Sequence, residues 1–200
     1  MDKVYSWTRD WKIKLNSEKS VQVDFASRLL KSSPLCIDGV QINVNDSAKY
    51  LAVHLDKKLN WKKHVMAKKE ELKLKLQSMY WMMRPKSKIS LDNKRLLYTT
   101  ILRPIWAYAA QIWAYTADTN ILMIQRVQNK ILRTISGAPW YMTNHQIHND
   151  LQIPFVKEVV TRMAAAYEQR LHRHPNIEAI RLLEAPSIRQ LKRKYPSDMV

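Results

Sequence analysis

Glycine and cysteine are scarce in this sequence. Two glycines in 200 residues argue against glycine-rich phosphate-binding loops and against a sheet-rich fold with many tight turns. Cys36 is the single cysteine, which excludes an internal disulfide and a cysteine-based zinc site; we expect it to be a buried structural residue. Helices joined by proline and polar loops are the natural alternative to a sheet-rich fold.

Long hydrophobic runs are also missing. The most apolar stretch, Ile101 to Tyr115, is interrupted by Arg103, Pro104 and Gln111. It falls short of the roughly 18 continuous apolar residues that a membrane span needs and predicts a buried helix instead. The first residues contain no apolar segment of the kind that a secretory signal requires. These features predict an intracellular protein of a reducing compartment, not secreted and with no membrane partner.

Acidic residues are outnumbered by basic ones. The sequence has 17 Asp and Glu against 34 Lys and Arg, which gives a formal net charge of +17. A field of this sign suits a polyanion, so nucleic acid is the partner that the charge favours. Charge alone leaves three other classes open: a ribosomal-type basic protein, a basic protein whose charge only keeps it soluble, and a binder of membrane surfaces.

Apolar and polar residues alternate in the first part of the chain, which is typical of half-buried strands. A short amphipathic helix is predicted ahead of the strands from the helical spacing of Val4, Trp7 and Trp11. An Asp38-Gly39 turn separates the first two strands. The three predicted strands are Val21 to Phe25, Val40 to Val44, and Lys49 to Leu55.

From Trp61 onward the apolar period is helical. Further stripes predict a helix with Ser90 as its N-cap, a helix that ends at Gly137, and a long helix from Phe155 to Leu171. Pro104 is expected to kink or break the helix in which it lies. The first helix carries residues at steps of three and four, with lysines on much of its other face: Val65, Lys69, Leu72, Leu76, Met79 and Met83.

The predicted fold is therefore α+β and predominantly α. A short antiparallel β-sheet near the N-terminus precedes a helical bundle, with the boundary near Asp56 to Asn60. The predicted parts are residues 1–56, residues 57–185, and a basic, loosely ordered tail at residues 186–200.

Residues for phosphoryl transfer do not fall into a recognisable pattern. Two-metal catalysis needs carboxylates that share ions about 4 Å apart. Glu70 and Glu71 lie among lysines and are interpreted as a solvated ion-pair face. His145 and His148 lack a third ligand at a recognisable spacing, so we interpret them as surface or core residues and predict no metal site in this chain. The aspartates of the first part are scattered at Asp24, Asp38, Asp46 and Asp56.

The lysine-rich segment around the first long helix is the most informative one. Lysines spaced along a helix can follow a phosphate backbone, because each neutralised phosphate releases counterions, and such contacts position a protein without reading sequence. A solvated helix face is the alternative. The candidate nucleic-acid-binding residues are Lys57, Lys58, Lys62, Lys63, Lys68, Lys69, Lys73 and Lys75.

Aromatic residues are abundant in the middle of the chain. Stacking platforms for single strands are one interpretation. Most of these residues lie within apolar helical patterns, however, so we predict core packing for the majority. They are Tyr80, Trp81, Tyr98, Trp106, Tyr108, Trp113, Tyr115, Trp140 and Tyr141.

Four segments in a fixed order carry a resemblance to a known family: WKIKLNSEKS, KYLAVHLDKKLNWKKH, LLYTTILRPIWAYAAQIW and IQRVQNKILRTISGAPWYMTN. They resemble the C-terminal part of reverse transcriptases from non-LTR retrotransposons, in particular the jockey-like elements of arthropods. The resemblance extends roughly from Trp7 to Val160. It implies part of an RNA-directed DNA polymerase whose partner is the RNA/DNA template–primer duplex, in the nucleus or the cytoplasm.

The resemblance also implies roles for individual residues. Lys19, in KLNSEKS, matches the end of the palm, where a lysine near the incoming nucleotide would act as general acid or steady the leaving pyrophosphate. The helix after Trp61 matches the thumb, and RPIWAY and GAPWY match regions interpreted as structural. The primer-grip hairpin, which would support the primer end, matches Lys49, Tyr50, Leu51, Ala52, Val53, His54 and Leu55.

Two departures from the family pattern change the expectation. The family has glycine where this chain has Ala52, and a side chain there would demand negative φ or hinder a close backbone approach. The palm motifs with the metal-binding aspartates would precede Met1, so the resemblance implies a fragment that does not polymerise alone. Mg²⁺ is expected only with the full-length enzyme, whose fingers and palm would be a further partner. A stand-alone helical nucleic-acid-binding or protein-interaction domain derived from a transposon is the alternative, and a poorly folding fragment is a third.

Overall fold

The structure is a computed structural model, and it describes residues 2–25, 33–37 and 39–181. Asp38 of the predicted turn and the predicted tail at residues 186–200 lie outside the described residues. The chain divides into two compact units, one that runs up to Asn60 and one that begins at Trp61. Each unit has its own set of regular elements.

The first unit combines one helix with short strand pairs. The helix α1 (Asp2–Asp10) confirms the predicted amphipathic helix, and the rings of Trp7 and Trp11 lie 6.2 Å apart on its exposed side. In the described part of this unit, the strands are β1 (Val21–Gln22), β2 (Cys36–Ile37), β3 (Val40–Gln41), β4 (Asn43–Val44), β5 (Ser47–Tyr50) and β6 (Val53–Asp56).

The strands pair two by two. β2 with β3 and β5 with β6 are antiparallel, as predicted, whereas β1 and β4 run parallel. The chain between Gln22 and Asn43 is long enough for a crossover, and parallel pairing requires one. The predicted antiparallel pairing therefore holds for β2–β3 and β5–β6, whereas the β1–β4 pair departs from it.

The third predicted strand is a hairpin rather than a single strand. Lys49 faces His54 and Tyr50 faces Val53 across the pair of β5 and β6, so Leu51 and Ala52 form a two-residue turn. Both have positive φ, 46° and 61°, which the tight type I′ turn requires at its two central positions. The strand prediction missed this turn because Leu51 and Ala52 are apolar and neither is glycine, whereas the family resemblance matched a hairpin to these residues.

The second unit is helical. The described elements are α2 (Lys62–Met83), α3 (Leu91–Leu97), a π-helical turn (Tyr98–Leu102), α4 (Arg103–Ala107), α5 (Ala110–Trp113), α6 (Asp118–Ser136), α7 (Asn144–Asp150), α8 (Val156–His172) and α9 (Ile177–Arg181). Together with the short strands of the first unit they confirm an α+β, predominantly α fold.

Several helix ends confirm the sequence prediction. α2 ends at Met83, with Arg84 as its C-cap before Pro85. Ser90 caps α3 by accepting a hydrogen bond from the Asn93 backbone N–H. Gly137 ends α6 with a φ of 64°. A β-carbon at this glycine would lie 3.1 Å from Pro85 Cβ, so glycine meets both a left-handed backbone and a close approach there.

Pro104 does not break its helix. It lies in the first turn of α4, where its missing N–H costs little, and a π-helical turn precedes it, with the Arg103 N–H donating to the Tyr98 carbonyl. The break comes later, at Ala109, whose φ is 54°. The stretch from Ile101 to Tyr115 is therefore not the single buried helix that the sequence predicted.

The core of the second unit lies where α2, α4, α5, α6 and α8 meet. α2 packs against α4 and α6, and α5 packs against α8. Six residues predicted for one face of α2 supply five buried side chains, Val65, Leu72, Leu76, Met79 and Met83. The other helices contribute Trp106, Trp113, Ile124, Ile131 and Val156, all fully buried. Within the described residues, no helix combines the length and apolar character that crossing a bilayer requires.

Candidate nucleic-acid interface

A surface groove follows the seam between α2 and α6. Residues at steps of three and four on each helix share a face, so the packing of the two helices leaves Lys69, Lys73, Gln77 and Tyr80 on one bank. The apolar side chains Leu76, Met123 and Val127 also line the groove. The other bank comprises Arg126, Lys130 and Thr134. We call this feature the α2–α6 groove.

The lining of the α2–α6 groove is basic. Lys69, Lys73, Arg126 and Lys130 face a volume of about 650 Å³, and no Asp or Glu is among the lining residues that the structure describes. Four cations on two rigid helices create a concentrated positive field, which suits a polyanion rather than a small neutral ligand.

Lys73 also forms an ion pair outside the groove. Its ammonium donates to Glu70 Oε1 at 2.8 Å, and this hydrogen bond lowers the pKa of the Glu70 carboxyl. Both partners are solvent-exposed, and exposed pairs of this kind contribute little to stability. Lys73 can therefore exchange the carboxylate for a phosphate at small cost.

The basic surface continues beyond the α2–α6 groove. Tyr80, Arg126, Lys130 and Thr134 also border a shallower depression, whose further lining includes Pro85, Asn129, Arg133 and Asn144. The depression extends the groove along α6 towards the connection between α6 and α7. A continuous track of three α6 cations results, at steps of four and three residues: Arg126, Lys130 and Arg133.

A larger groove between α6 and α8 has a different character. Its volume is about 860 Å³, but its cations Lys157 and Arg162 are accompanied by the carboxylates Asp118 and Glu158. Lys157 Nζ lies 3.1 Å from Asp118 Oδ1. Because its charges nearly balance, this groove is less suited to a polyanion than the smaller α2–α6 groove.

The structure distributes the eight candidate lysines over several surfaces. Lys69 and Lys73 line the α2–α6 groove. Lys68 lies on the opposite flank of α2, where its ammonium is 5.6 Å from the Tyr108 ring and 2.9 Å from Glu71. Lys57 pairs with Asp46 at 2.8 Å within the first unit. The remaining candidates, exposed on the surface, are Lys58, Lys62, Lys63 and Lys75.

Sequence reasoning missed the α6 half of the groove. Arg126, Lys130 and Arg133 flank the apolar stripe of Val127, Ile131 and Ile135 at helical steps. That spacing was visible in the sequence and would have marked a basic edge on α6. That this edge faces α2 depends on tertiary packing, which the sequence does not display.

The residues matched to the palm and the primer grip lie in the first unit. Lys19 is exposed and lies in a turn, where its own backbone N–H donates to Asn16 Oδ1 at 2.9 Å. In the β5–β6 hairpin, Tyr50 and Leu51 are exposed at the tip, and Val53 is buried. Ala52 has positive φ, so the expectation that its side chain would demand negative φ was wrong.

The sequence also predicted how far Cys36, His145 and His148 would be buried. Cys36 is exposed rather than buried, because the β2–β3 pair buries the neighbouring Ile37 instead. His148 is a core histidine, as interpreted from the sequence. Its ring stacks on Phe155 with centroids 4.0 Å apart, and Nδ1 donates to the Ile153 carbonyl at 2.7 Å. His145 is exposed.

The prediction that most of the mid-chain aromatic residues are core residues was wrong. Tyr98, Trp106 and Trp113 are buried, and Tyr115 is half-buried. The helical pattern around the others was apolar, but their positions fall on outward faces or in loops. The exposed residues are Tyr80, Trp81, Tyr108, Trp140 and Tyr141.

The described residues do not offer a site for Mg²⁺. Within residues 2–25, 33–37 and 39–181, no three His, Cys, Asp or Glu side chains lie together in a way that would hold a metal ion.

Comparison with known proteins connects the chain to mobile genetic elements. A probable RNA-directed DNA polymerase from transposon X-element of Drosophila melanogaster is 37% identical over 194 residues, 97% of this chain. The corresponding protein from transposon BS is 35% identical over 94% of the chain, and the RNA-directed DNA polymerase from mobile element jockey is 33% identical over 100% of it, both in Drosophila melanogaster. This chain is a homologue of part of these non-LTR retrotransposon polymerases.

The chain corresponds to a small part of each of these relatives. The chain spans about a fifth of the length of these curated relatives, 21% for X-element and BS and 23% for jockey. No family model matches the chain, and no solved structure matches it. The named relatives confirm the resemblance of the four sequence segments to RNA-directed DNA polymerases of such transposons, jockey among them.

Proposed function

We propose that this chain is the part of a retrotransposon RNA-directed DNA polymerase that grips the template–primer duplex, and that the α2–α6 groove binds its phosphate backbone. The observation that carries the proposal is the set of four groove cations, Lys69, Lys73, Arg126 and Lys130, with no carboxylate among the described lining residues. The formal net charge of +17 supports it independently.

The chemistry of the groove suits backbone contact rather than sequence readout. Lysine and arginine side chains neutralise phosphates and release counterions, and this provides affinity for any sequence. A polymerase must hold every sequence that it copies, so contacts that ignore base identity fit the role. The Tyr80 hydroxyl and Gln77 amide offer hydrogen bonds to sugar or phosphate oxygens on the same bank.

The first unit has further parts in this proposal. In this proposal the β5–β6 hairpin, from Lys49 to His54, supports the primer end, with Tyr50 and Leu51 exposed at its tip. Lys19 lies near the incoming nucleotide. Polymerisation needs Mg²⁺ and the fingers and palm of the polymerase, which this proposal assigns to other parts of the enzyme. A nucleic-acid substrate of this kind implies a nuclear or cytoplasmic location.

Equilibrium binding to a labelled RNA–DNA hybrid tests the role of the α2–α6 groove. The test variant carries Lys69→Gln, Lys73→Gln, Arg126→Gln and Lys130→Gln. The control variant removes the same number of charges at exposed positions outside both grooves, with Lys14→Gln, Lys88→Gln, Arg95→Gln and Arg173→Gln. Circular dichroism confirms that both variants fold.

We expect the groove variant to bind the hybrid at least about tenfold more weakly than the control variant at low salt, because it loses localised phosphate contacts. Equal losses in the two variants would show that only net charge matters and would contradict the proposal. Strong binding of the wild-type chain to single strands but not to hybrid would favour a stand-alone nucleic-acid-binding domain instead.

A further inference from the structure

Two aromatic side chains are presented to solvent on the connection between α6 and α7. Trp140 is 90% exposed and Tyr141 is 71% exposed. Their ring centroids lie 6.0 Å apart at an interplanar angle of 82°. Exposing such large apolar rings side by side forgoes the free energy of burial, so a pair of this kind commonly marks a binding surface.

The connection that carries the two rings is held at several points. The Arg133 guanidinium donates to the carbonyl oxygens of Pro139 and Met142, at 3.3 and 2.6 Å, and to Asn144 Oδ1 at 3.1 Å. Thr143 and Gln146 form a capping box at the start of α7. The two rings are therefore presented on a pre-organised backbone, which reduces the entropy lost on binding.

Arg133 contacts the connection that carries the aromatic pair and also borders the basic surface. Arg133 and Asn144 border the depression that extends the α2–α6 groove, together with Arg126 and Lys130. The sequence from Thr119 to Asn149 contains no Asp or Glu. A ligand that reaches both features must therefore combine negative charge with flat π surfaces.

We propose that Trp140 and Tyr141 form a stacking site for the unpaired bases of a single strand that continues from the duplex held in the α2–α6 groove. This inference rests on the proposed function and adds a ligand class to it, a junction between duplex and single-stranded nucleic acid. Single-stranded nucleic acid has the required chemistry, because a phosphate chain carries bases whose faces stack on aromatic side chains regardless of sequence. An apolar peptide would leave the adjacent cations without partners.

The test compares two labelled RNA–DNA hybrids, one blunt and one with an unpaired overhang of about six nucleotides, within the usual site size for such surfaces. An overhang on each strand is tested in turn. The test variant is Trp140→Ala with Tyr141→Ala. Trp81→Ala serves as the matched control, because Trp81 is 65% exposed on α2 and lines neither the groove nor its extension. Trp140→Phe keeps a stacking surface at the site.

We expect the wild-type chain to bind one of the overhang hybrids at least about fivefold more tightly than the blunt hybrid, as stacking of one or more bases provides. The double variant should lose that gain and keep blunt-hybrid binding, whereas Trp81→Ala and Trp140→Phe should keep both. An overhang gain that survives the double variant would overturn the inference, and so would a double variant that loses blunt binding to the same extent.

The outcomes separate this inference from the proposed function. Wild-type binding to the blunt hybrid without any gain from an overhang overturns the stacking site and leaves the groove proposal standing. Binding to the single strand alone, lost in the double variant, supports the stacking site and contradicts the duplex grip. Binding to none of the substrates overturns both.

Discussion

Ala52 adopts a backbone conformation that L-amino acids avoid. Its φ is 61°, next to Leu51 at 46°, and left-handed geometry brings the β-carbon close to the following carbonyl oxygen. The β5–β6 pairing fixes this geometry on both sides, so the turn retains its form although neither residue is glycine. The proposed primer-grip hairpin thus holds local strain at its tip.

Ala52→Gly should stabilise the hairpin. Removing the β-carbon relieves about 1–2 kcal/mol of left-handed strain, and the greater freedom of glycine in the unfolded chain offsets about 0.5–1 kcal/mol of that gain. Hydrogen exchange of the amides paired across β5 and β6 should slow by roughly two- to fivefold. Ala48→Gly, within β5, should instead accelerate exchange. Equal effects of the two changes would contradict this account of the turn.

His148 makes the stability of the helical core depend on pH. Burial lowers the pKa of its imidazole, with the hydrogen bond to the Ile153 carbonyl and the charge of Glu158 acting in the opposite direction. The neutral ring donates from Nδ1 to Ile153 and has Nε2 within 3.2 Å of the Gln125 side-chain amide. The unfolded chain therefore binds the proton at higher pH than the folded chain does.

Stability should consequently fall as the pH drops below about 6.5, the usual pKa of histidine in an unfolded chain. His148→Gln should be less stable than the wild-type chain near neutral pH but should lose less stability between about pH 6.5 and pH 5. Urea unfolding at several pH values measures the difference. The exposed His172→Gln control should keep the wild-type decline. A His148→Gln variant with an unchanged decline would contradict the assignment.

At the scale of helices and strands, the end of α2 depends on a buried lysine from α3. Lys94 is 4% exposed, and its ammonium donates to the Arg84 carbonyl at 2.8 Å. Carbonyls at a helix C-terminus lack intrahelical partners and carry the negative end of the helix dipole. Lys94 supplies both a hydrogen bond and a positive charge there.

Lys94→Met should lower the free energy of unfolding by about 1–3 kcal/mol, because the side chain keeps its apolar stem but leaves the Arg84 carbonyl without this donor. Urea denaturation measures the change. Lys88→Met, at an exposed position between α2 and α3, should stay within about 0.5 kcal/mol of the wild-type value. Similar losses in both variants would show that Lys94 has no special role at the end of α2.

Periodicity predicted the long helices and misjudged the short elements. α2, α6 and α8 have apolar stripes that repeat over several turns, so their existence and buried faces follow from the sequence. The turn of the β5–β6 hairpin and the break at Ala109 depend on positive φ at non-glycine residues, which apolar periodicity does not mark. The family resemblance matched a hairpin to residues 49–55, but it did not indicate this backbone geometry. The same limit applies to Trp140 and Tyr141, whose exposure is decided by how α6 and α7 are joined.

The candidate site was half predicted. The lysine run indicated α2, and Lys69 and Lys73 do line the α2–α6 groove. Lys68 lies on the other flank beside Tyr108, because adjacent helical residues point about 100° apart. Which lysines share a surface with Arg126 and Lys130 depends on which helix packs beside α2, and charge counting along one segment cannot supply that.

For the whole molecule, charge and ancestry point the same way. The formal net charge is +17, and the relatives named as RNA-directed DNA polymerases match nearly the full chain at 33–37% identity in Drosophila melanogaster. Net charge would attract nucleic acid to any surface. The α2–α6 groove and its extension place cations on rigid helices, and it is to this surface that our proposal assigns the phosphate backbone.

The salt dependence of hybrid binding tests the central claim most directly. Affinity for the blunt RNA–DNA hybrid is measured over a salt series for the wild-type chain, the four-charge groove variant and the four-charge control variant. Each lost phosphate contact should reduce the slope of log affinity against log salt by about 0.9. We predict a slope shallower by roughly three to four for the groove variant, and an unchanged slope for the control. Identical slopes for both variants would contradict the claim that the α2–α6 groove holds the duplex.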